Sequence, residues 1–267
     1  GQVRQARAVS SVQVYGQPGS GRTSLANALR EFGIDAHECE FPALAFREAD
    51  PGIADLGAVD KGDSGEGGFG DGAAPAVSPA EVDSLVVLAA SARDGIDAPL
   101  ADWWEELAES FTPRLLVWTF TDVGRADDDD MRAITERILG EPNYAVALPL
   151  ADDDDEFAGV LDLRDASIHE AGSAGSTVRP ADAEHESIAA PLLDELIDAV
   201  LANSDDESAL ASRMAGMSLS PQRLRQLLAA AMAGGTVVVS MPVRAVAPLI
   251  GVDVLADVLA AVLQAKA

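Results

Sequence analysis

The stretch Val12-Gln13-Val14-Tyr15-Gly16-Gln17-Pro18-Gly19-Ser20-Gly21-Arg22-Thr23-Ser24 decides the fold of this chain. Residues 8–15 are rich in β-branched side chains and read as a strand, and residues 23–32 read as a helix closed by Gly33. Between them lies a near-complete phosphate loop with arginine where the lysine is expected. Such a loop wraps a phosphate in consecutive backbone N–H groups at a helix N-terminus. Its basic side chain reaches the outer phosphate oxygens, and its hydroxyl holds Mg²⁺. The expected contacts are Gly16, Gly19, Ser20, Gly21, Arg22, Thr23 and Ser24, with Thr23 the metal ligand. Arg22 keeps the positive charge, but its broad planar fork cannot fold into the pocket as a compact ammonium does, which predicts weakened triphosphate binding. Without a ligand the same string is a glycine-rich turn from strand to helix, and both readings stand.

Working outward, residues 39–47 can form a second strand. Continuous apolar runs at 84–92, 114–119, 144–148 and 236–240 have the character of buried parallel strands. Helical patterns at 100–110, 131–139 and 252–263 alternate with them. That rhythm predicts an α/β fold of the phosphate-loop type, a doubly wound, mostly parallel sheet. Residues 57–79 are Gly, Asp, Ala and Ser rich, and such a segment cannot offset its own ordering entropy, so a disordered loop is expected there. Residues 151–235 break the rhythm with an acidic turn, a short strand at 160–164, a polar segment at 171–176 and helices at 184–202, 208–214 and 221–233. They read as an inserted α+β subdomain, leaving 1–150 and 236–267 as the loop-bearing domain.

The chain has 267 residues, 48% of them hydrophobic, enough for a sizeable core. Its formal net charge is -27, with acidic runs at 127–130 and 152–156, and that field repels phosphate backbones and anionic membranes. Direct nucleic-acid binding is therefore not expected. The acid reads as a solvated surface rather than a docking tail. The abundance of Asp over Lys also suits a high-salt cytoplasm. Cys39 is the single cysteine, which excludes a disulfide within the chain, and no Cys/His cluster offers a structural metal site. The apolar runs are too short to span a bilayer, and the first residues carry no signal-peptide stretch, so the expected setting is the cytoplasm.

Beyond the loop, His185-Glu186-Ser187, Leu193-Asp194-Glu195-Leu196-Ile197, Ser204-Asp205-Asp206-Glu207, Ala215-Gly216, Leu219-Ser220-Pro221 and Gly235-Thr236-Val237 form a recognisable series. It resembles the insert within the G domain of bacterial elongation factor G and its elongation-factor-G-like relatives. Leu148-Pro149-Leu150 and Phe157-Ala158-Gly159-Val160-Leu161-Asp162-Leu163 resemble the entry into that insert. The resemblance covers nearly the whole chain. It implies a GTP or GDP ligand with Mg²⁺ and a ribosome or translation-factor partner.

Carried across residue by residue, the family's nucleotide motifs are damaged. The Asp-Thr-Pro-Gly motif falls on Ala49-Asp50-Pro51-Gly52: Gly52 keeps the amide that would meet a γ-phosphate, but Ala49 replaces the metal-supporting carboxylate. Asp50 would substitute by a one-residue slip, or it is a surface residue. The guanine-reading Asn-Lys-Met-Asp motif falls on Thr119-Phe120-Thr121-Asp122, where Asp122 alone survives as a partner for the base. Losing the other contacts removes most base discrimination. The last base-contacting loop falls near Ser240-Met241-Pro242, and Pro242 lacks an N–H. The first switch segment, with its metal-binding threonine, is absent. No glutamine or histidine in 57–79 is placed to orient water, so no catalytic residue is expected. His37, His169 and His185 read as surface or helix positions, and Trp103-Trp104 as core packing with one ring partly exposed. Together these features predict a degenerate GTPase-like domain acting as an interaction or regulatory module, or else a working nucleotide-binding domain of relaxed base specificity.

Overall fold

The computed structural model describes residues 11–39, 41, 84–93, 95–96, 99–119, 128–154, 156–172 and 175–265. Six strands form one sheet: β1 (Val12–Gly16), β2 (Ala36–Glu38), β3 (Leu85–Ser91), β4 (Arg114–Thr119), β5 (Tyr144–Ala145) and β10 (Val239–Pro242). Their order is β2-β1-β3-β4-β10-β5, and every neighbouring pair is parallel. Every residue of β3 and β4 is buried, which accounts for apolar runs without polar alternation.

Alternate side chains of these strands divide between two layers, as a pleated strand dictates. Val12, Val14, Leu85, Val87, Leu115, Val117, Val239 and Met241 pack on one face against α1 (Arg22–Glu31) and α7 (Val252–Ala265). Tyr15, Val86, Leu88, Leu116 and Val238 pack on the other against α2 (Pro99–Glu109) and Leu139 of α3 (Asp128–Leu139). The sheet is thus covered on both sides. Trp103 and Trp104 are both buried, which corrects the expectation of one partly exposed ring. Trp103 packs its ring 4.8 Å from Tyr15 and 5.2 Å, edge-on, from Phe41. Trp104 donates Nε1–H to Glu141 at 2.8 Å, so its polar atom is satisfied in the interior.

Between β5 and β10 in the chain lie a second, antiparallel sheet and three helices. The sheet is β6 (Ala147–Ala151), β7 (Phe157–Asp162), β8 (Ser167–Gly172) and β9 (Gly175–Pro180), and the helices are α4 (Ala183–Ala202), α5 (Glu207–Met214) and α6 (Pro221–Ala233). The expected single strand at 144–148 is two strands in different sheets, β5 and β6. The polar segment at 171–176 is the junction of a β8–β9 hairpin. β2 covers Ala36–Glu38, and of the strand expected at 39–47 residues 40 and 42–47 fall outside the described residues.

A line of charged groups ties the second sheet to α6 and α7. Asp162 and Arg164 form a buried pair at 2.7 Å, and Arg164 reaches Asp257 of α7 at 2.9 Å. Asp165 pairs with Arg225 of α6. His169 Nδ1 lies 2.7 Å from Asp253 of α7, and its Nε2 lies 3.0 Å from Ser167 Oγ, which donates to Asp165 at 2.5 Å. His169 is therefore a partly buried strand residue with an ionic partner, not a surface or helix position. No helix among the described residues is long and apolar enough to cross a membrane.

Candidate functional site

The chain leaves β1 for β2 on one side and leaves β3 for β4 on the other, so the order of the sheet reverses between β1 and β3. The carboxyl end of β1 is thus the crevice where open α/β sheets bind ligands, and the loop at 16–23 sits there. Gly16 pairs with Ala89, and a Cβ on Gly16 would lie 2.1 Å from Ser20 Oγ and 2.8 Å from the Ala89 carbonyl. No other residue fits that position. Gly19 and Gly21 hold φ of 85° and 78°, the left-handed region that glycine enters without strain. Ser20 donates its N–H to the Gln17 carbonyl at 3.0 Å, closing the turn, and Leu25 N–H to Gly21 O at 2.9 Å begins the helix.

The start of α1 has no side-chain cap and no acidic residue in its first turn. The starts of α4, α5 and α6 are each capped, by Asp182, Asp206 and Ser220 respectively. First-turn amides such as those of Thr23 and Ser24 have no intrahelical acceptor by helix geometry, and an anion supplies one. Inside the turn, Ser20 Oγ and Gln17 Nε2 are buried without a hydrogen-bond partner, and Ser20 itself is 2% exposed. The backbone and these atoms fit a phosphate.

Thr119, at the end of β4, donates its hydroxyl to the Ser20 carbonyl at 2.6 Å and lies 3.2 Å from the Ala90 carbonyl. It fastens the loop to the sheet. A hydroxyl at a strand end carries no sequence signal for that contact.

The charged side of the loop centres on Glu38, which the sequence reading missed. β2 pairs with β1 in the register Val14↔Glu38, so its last residue reaches the loop. Glu38 Oε1 accepts from Thr23 Oγ1 at 2.7 Å and from Arg22 Nε at 2.9 Å. Arg22 also donates from a terminal nitrogen to the Gly16 carbonyl at 2.8 Å. The hydrogen bonds of Thr23 and then of Arg22 hold the Glu38 carboxyl below its ordinary range.

A threonine beside a strand-end carboxylate is the donor set with which phosphate-loop proteins hold Mg²⁺. Here the guanidinium lies on the same carboxylate oxygen as the threonine, where a divalent ion bound to Thr23 would meet a fixed like charge. No group of three or more His, Cys, Asp or Glu side chains is placed to hold a metal among the described residues. The phosphate cradle fits its group, and the metal position, with Arg22 as it stands, does not.

Of the other expected contacts, Ser24 lies in the first turn of α1. Gly52 and Asp122 lie outside the described residues, as do Ala49, Asp50, Phe120, Thr121 and the whole of 57–79. Ser240 sits in β10 with its hydroxyl buried and unpartnered, and Pro242 ends that strand.

No family profile matches the chain. It is 27% identical over 161 residues to the elongation factor G-like protein of Mycobacterium tuberculosis, in strains CDC 1551 / Oshkosh and ATCC 25618 / H37Rv. That match takes in 60% of this chain and 21% of the relative, so the chain spans a minor part of the proteins it matches. A solved structure, described as the crystal structure of ttk003000868 from Thermus thermophilus, superposes with a TM-score of 0.64 at 18% identity. It covers 95% of this chain and 40% of the other. The chain therefore carries weak similarity to an elongation factor G-like protein on an α/β fold that it shares with a larger solved structure.

Proposed function

We propose that this chain is the phosphate-loop domain of an elongation-factor-G-like protein, that it binds nucleotide weakly and does not hydrolyse it, and that it acts as an interaction or regulatory module. One observation carries this reading. Arg22 and Thr23, the two side chains a nucleotide would need, are both engaged by Glu38. The sequence adds Ala49, Thr119 and Phe120 at positions where the family resemblance expects metal-supporting and base-reading groups. A partner among translation factors or on the ribosome, in the cytoplasm, follows from the resemblance to the elongation factor G-like protein. The test is titration of the purified protein with fluorescent GTP, GDP and ATP in Mg²⁺. Weak binding with little preference among bases is expected. Sub-micromolar, guanine-selective binding with turnover would sink the proposal.

A second reading is a working nucleotide-binding domain of relaxed base specificity, with Arg22 as the phosphate clamp. The uncapped start of α1 and the unpartnered Ser20 hydroxyl favour it. Under this reading Arg22→Ala abolishes nucleotide binding. Binding untouched by that change would discard it.

A further inference from the structure

We infer that the loop at 16–23 takes a diphosphate-bearing ligand without a divalent cation, the Arg22 guanidinium supplying the positive charge and the ligand replacing the Glu38 carboxylate on it. The inference rests on the reading above that the loop keeps some capacity for phosphate. Three observations lead there.

The first is the cradle itself. Gly16, Gly19 and Gly21 give the backbone its close approach and left-handed turns, α1 begins without a cap, and a buried Ser20 hydroxyl inside the turn has no partner. One phosphate group meets those amides. The second is the cation already present. Arg22 lies between the Gly16 carbonyl at 2.8 Å and Glu38 Oε1 at 2.9 Å, across the entrance beside Thr23. A planar guanidinium bonds two oxygens of a phosphate at once, and it cannot be deprotonated at any relevant pH. A second phosphate, adjoining the cradled one, is the anion of the right geometry for it.

The third is the exchange. The Arg22 and Glu38 side chains are 17% and 33% exposed, so water screens their attraction and little is lost when a ligand oxygen takes the carboxylate's place. Thr23 shares the same carboxylate oxygen, so the two groups are released together. A divalent ion brought in by the ligand would instead have to sit against the guanidinium. The ligand class is thus the diphosphate group, either as inorganic pyrophosphate or as the end of a nucleoside diphosphate.

The experiment is calorimetric titration with inorganic pyrophosphate and, separately, with GDP, each in EDTA and in Mg²⁺. It is run on the wild type, Glu38→Gln and Arg22→Lys, with circular dichroism confirming that each variant is folded. The wild type is expected to bind in EDTA and to gain no affinity from Mg²⁺. Glu38→Gln is expected to bind roughly two- to fivefold more tightly, the equivalent of removing one exposed ion pair. Arg22→Lys is expected to weaken binding in EDTA and to make it respond to Mg²⁺. Comparable affinities for the two probes would identify the diphosphate as the recognised group, and tighter binding of GDP would add a base or sugar contact to it. Wild-type binding that appears only with Mg²⁺ overturns the inference and leaves the phosphate loop standing. Binding of neither probe in either buffer overturns the reading of the loop, and the inference with it. Unchanged affinity in Glu38→Gln would show that the carboxylate is not the group displaced.

Discussion

Arg22 with Glu38, at the mouth of the loop, and Arg164 with Asp162, under the second sheet, are the same chemical pair in opposite settings. The side chains of the first pair are 17% and 33% exposed, and those of the second 3% and 1%. Arg164 makes hydrogen bonds of 2.9 and 2.7 Å to the two oxygens of Asp162 and a third of 2.9 Å to Asp257. A buried pair is expensive to break, because the partner left behind is a desolvated charge. A pair in partial contact with water exchanges partners cheaply. Location, not residue type, makes one pair a structural joint and the other an exchangeable contact. The helix starts repeat the lesson: α4 and α6 are closed by the side chains of Asp182 and Ser220, while α1 begins without a side-chain cap.

The largest break comes at the buried pair. Asp162→Ala, which strands Arg164, is expected to cost about 3–5 kcal/mol in urea unfolding. A loss below about 1 kcal/mol would mean that Asp257 alone holds the guanidinium, and the contrast would fail. At the start of α6, Ser220 accepts from Arg223 N–H at 3.3 Å, and Ser220→Ala is expected to cost about 1 kcal/mol by the same measurement.

A pH series sharpens the seam from another side. The hydrogen bond that His169 donates to Asp253 first, and then the charge of that carboxylate, raise the His169 imidazole above its ordinary value despite partial burial. Burial alone would push the Asp253 carboxyl up, but bonds from His169 and Ser176 outweigh it and leave it lowered. Asp162 and Asp165 add to the negative field on His169. The His169 contribution is therefore complete below the imidazole's unfolded pKa and is lost as pH rises through its higher folded value. That of Asp253 is present above its unfolded pKa and is lost as pH falls through its folded one. The gap in unfolding midpoint between wild type and His169→Gln should be widest in mild acid and close above neutrality. A gap that widens with pH would reverse the assignment.

The smallest expected effect is Glu38→Gln on stability, within about 1 kcal/mol by thermal unfolding. A loss as large as that of Asp162→Ala would make Glu38 a structural residue and remove the basis for exchange with a ligand.

The sheet was legible wherever burial leaves a mark on sequence. Residues 85–90 and 115–118 are apolar without interruption because β3 and β4 are covered on both faces. The β8–β9 hairpin was not legible, because β9 is an edge strand with Ser176, Thr177, Val178, Arg179 and Pro180 all exposed and so presents no apolar alternation. The division of 144–148 into two strands was hidden as well. Ala145 and Ala147 are both buried, each in a strand of a different sheet, so hydrophobicity is continuous across the break. In the site, the glycines and Thr23 were readable from their spacing. Glu38 was not, since nothing in Ala36-His37-Glu38 marks it beyond a carboxylate near a strand end.

By itself the sequence determined the order of strand, loop and helix around Gly16 and Gly21, because the loop's backbone conformations admit few residues and those residues are visible. It also determined that arginine stands at position 22, where a phosphate loop carries lysine. Only the tertiary structure decided what that arginine does. The parallel register of β1 and β2 brings Glu38 to the loop, where Arg22 and Thr23 come to share one of its carboxylate oxygens. Local sequence encodes backbone preference, whereas the partner of a charge is set by which strands lie side by side.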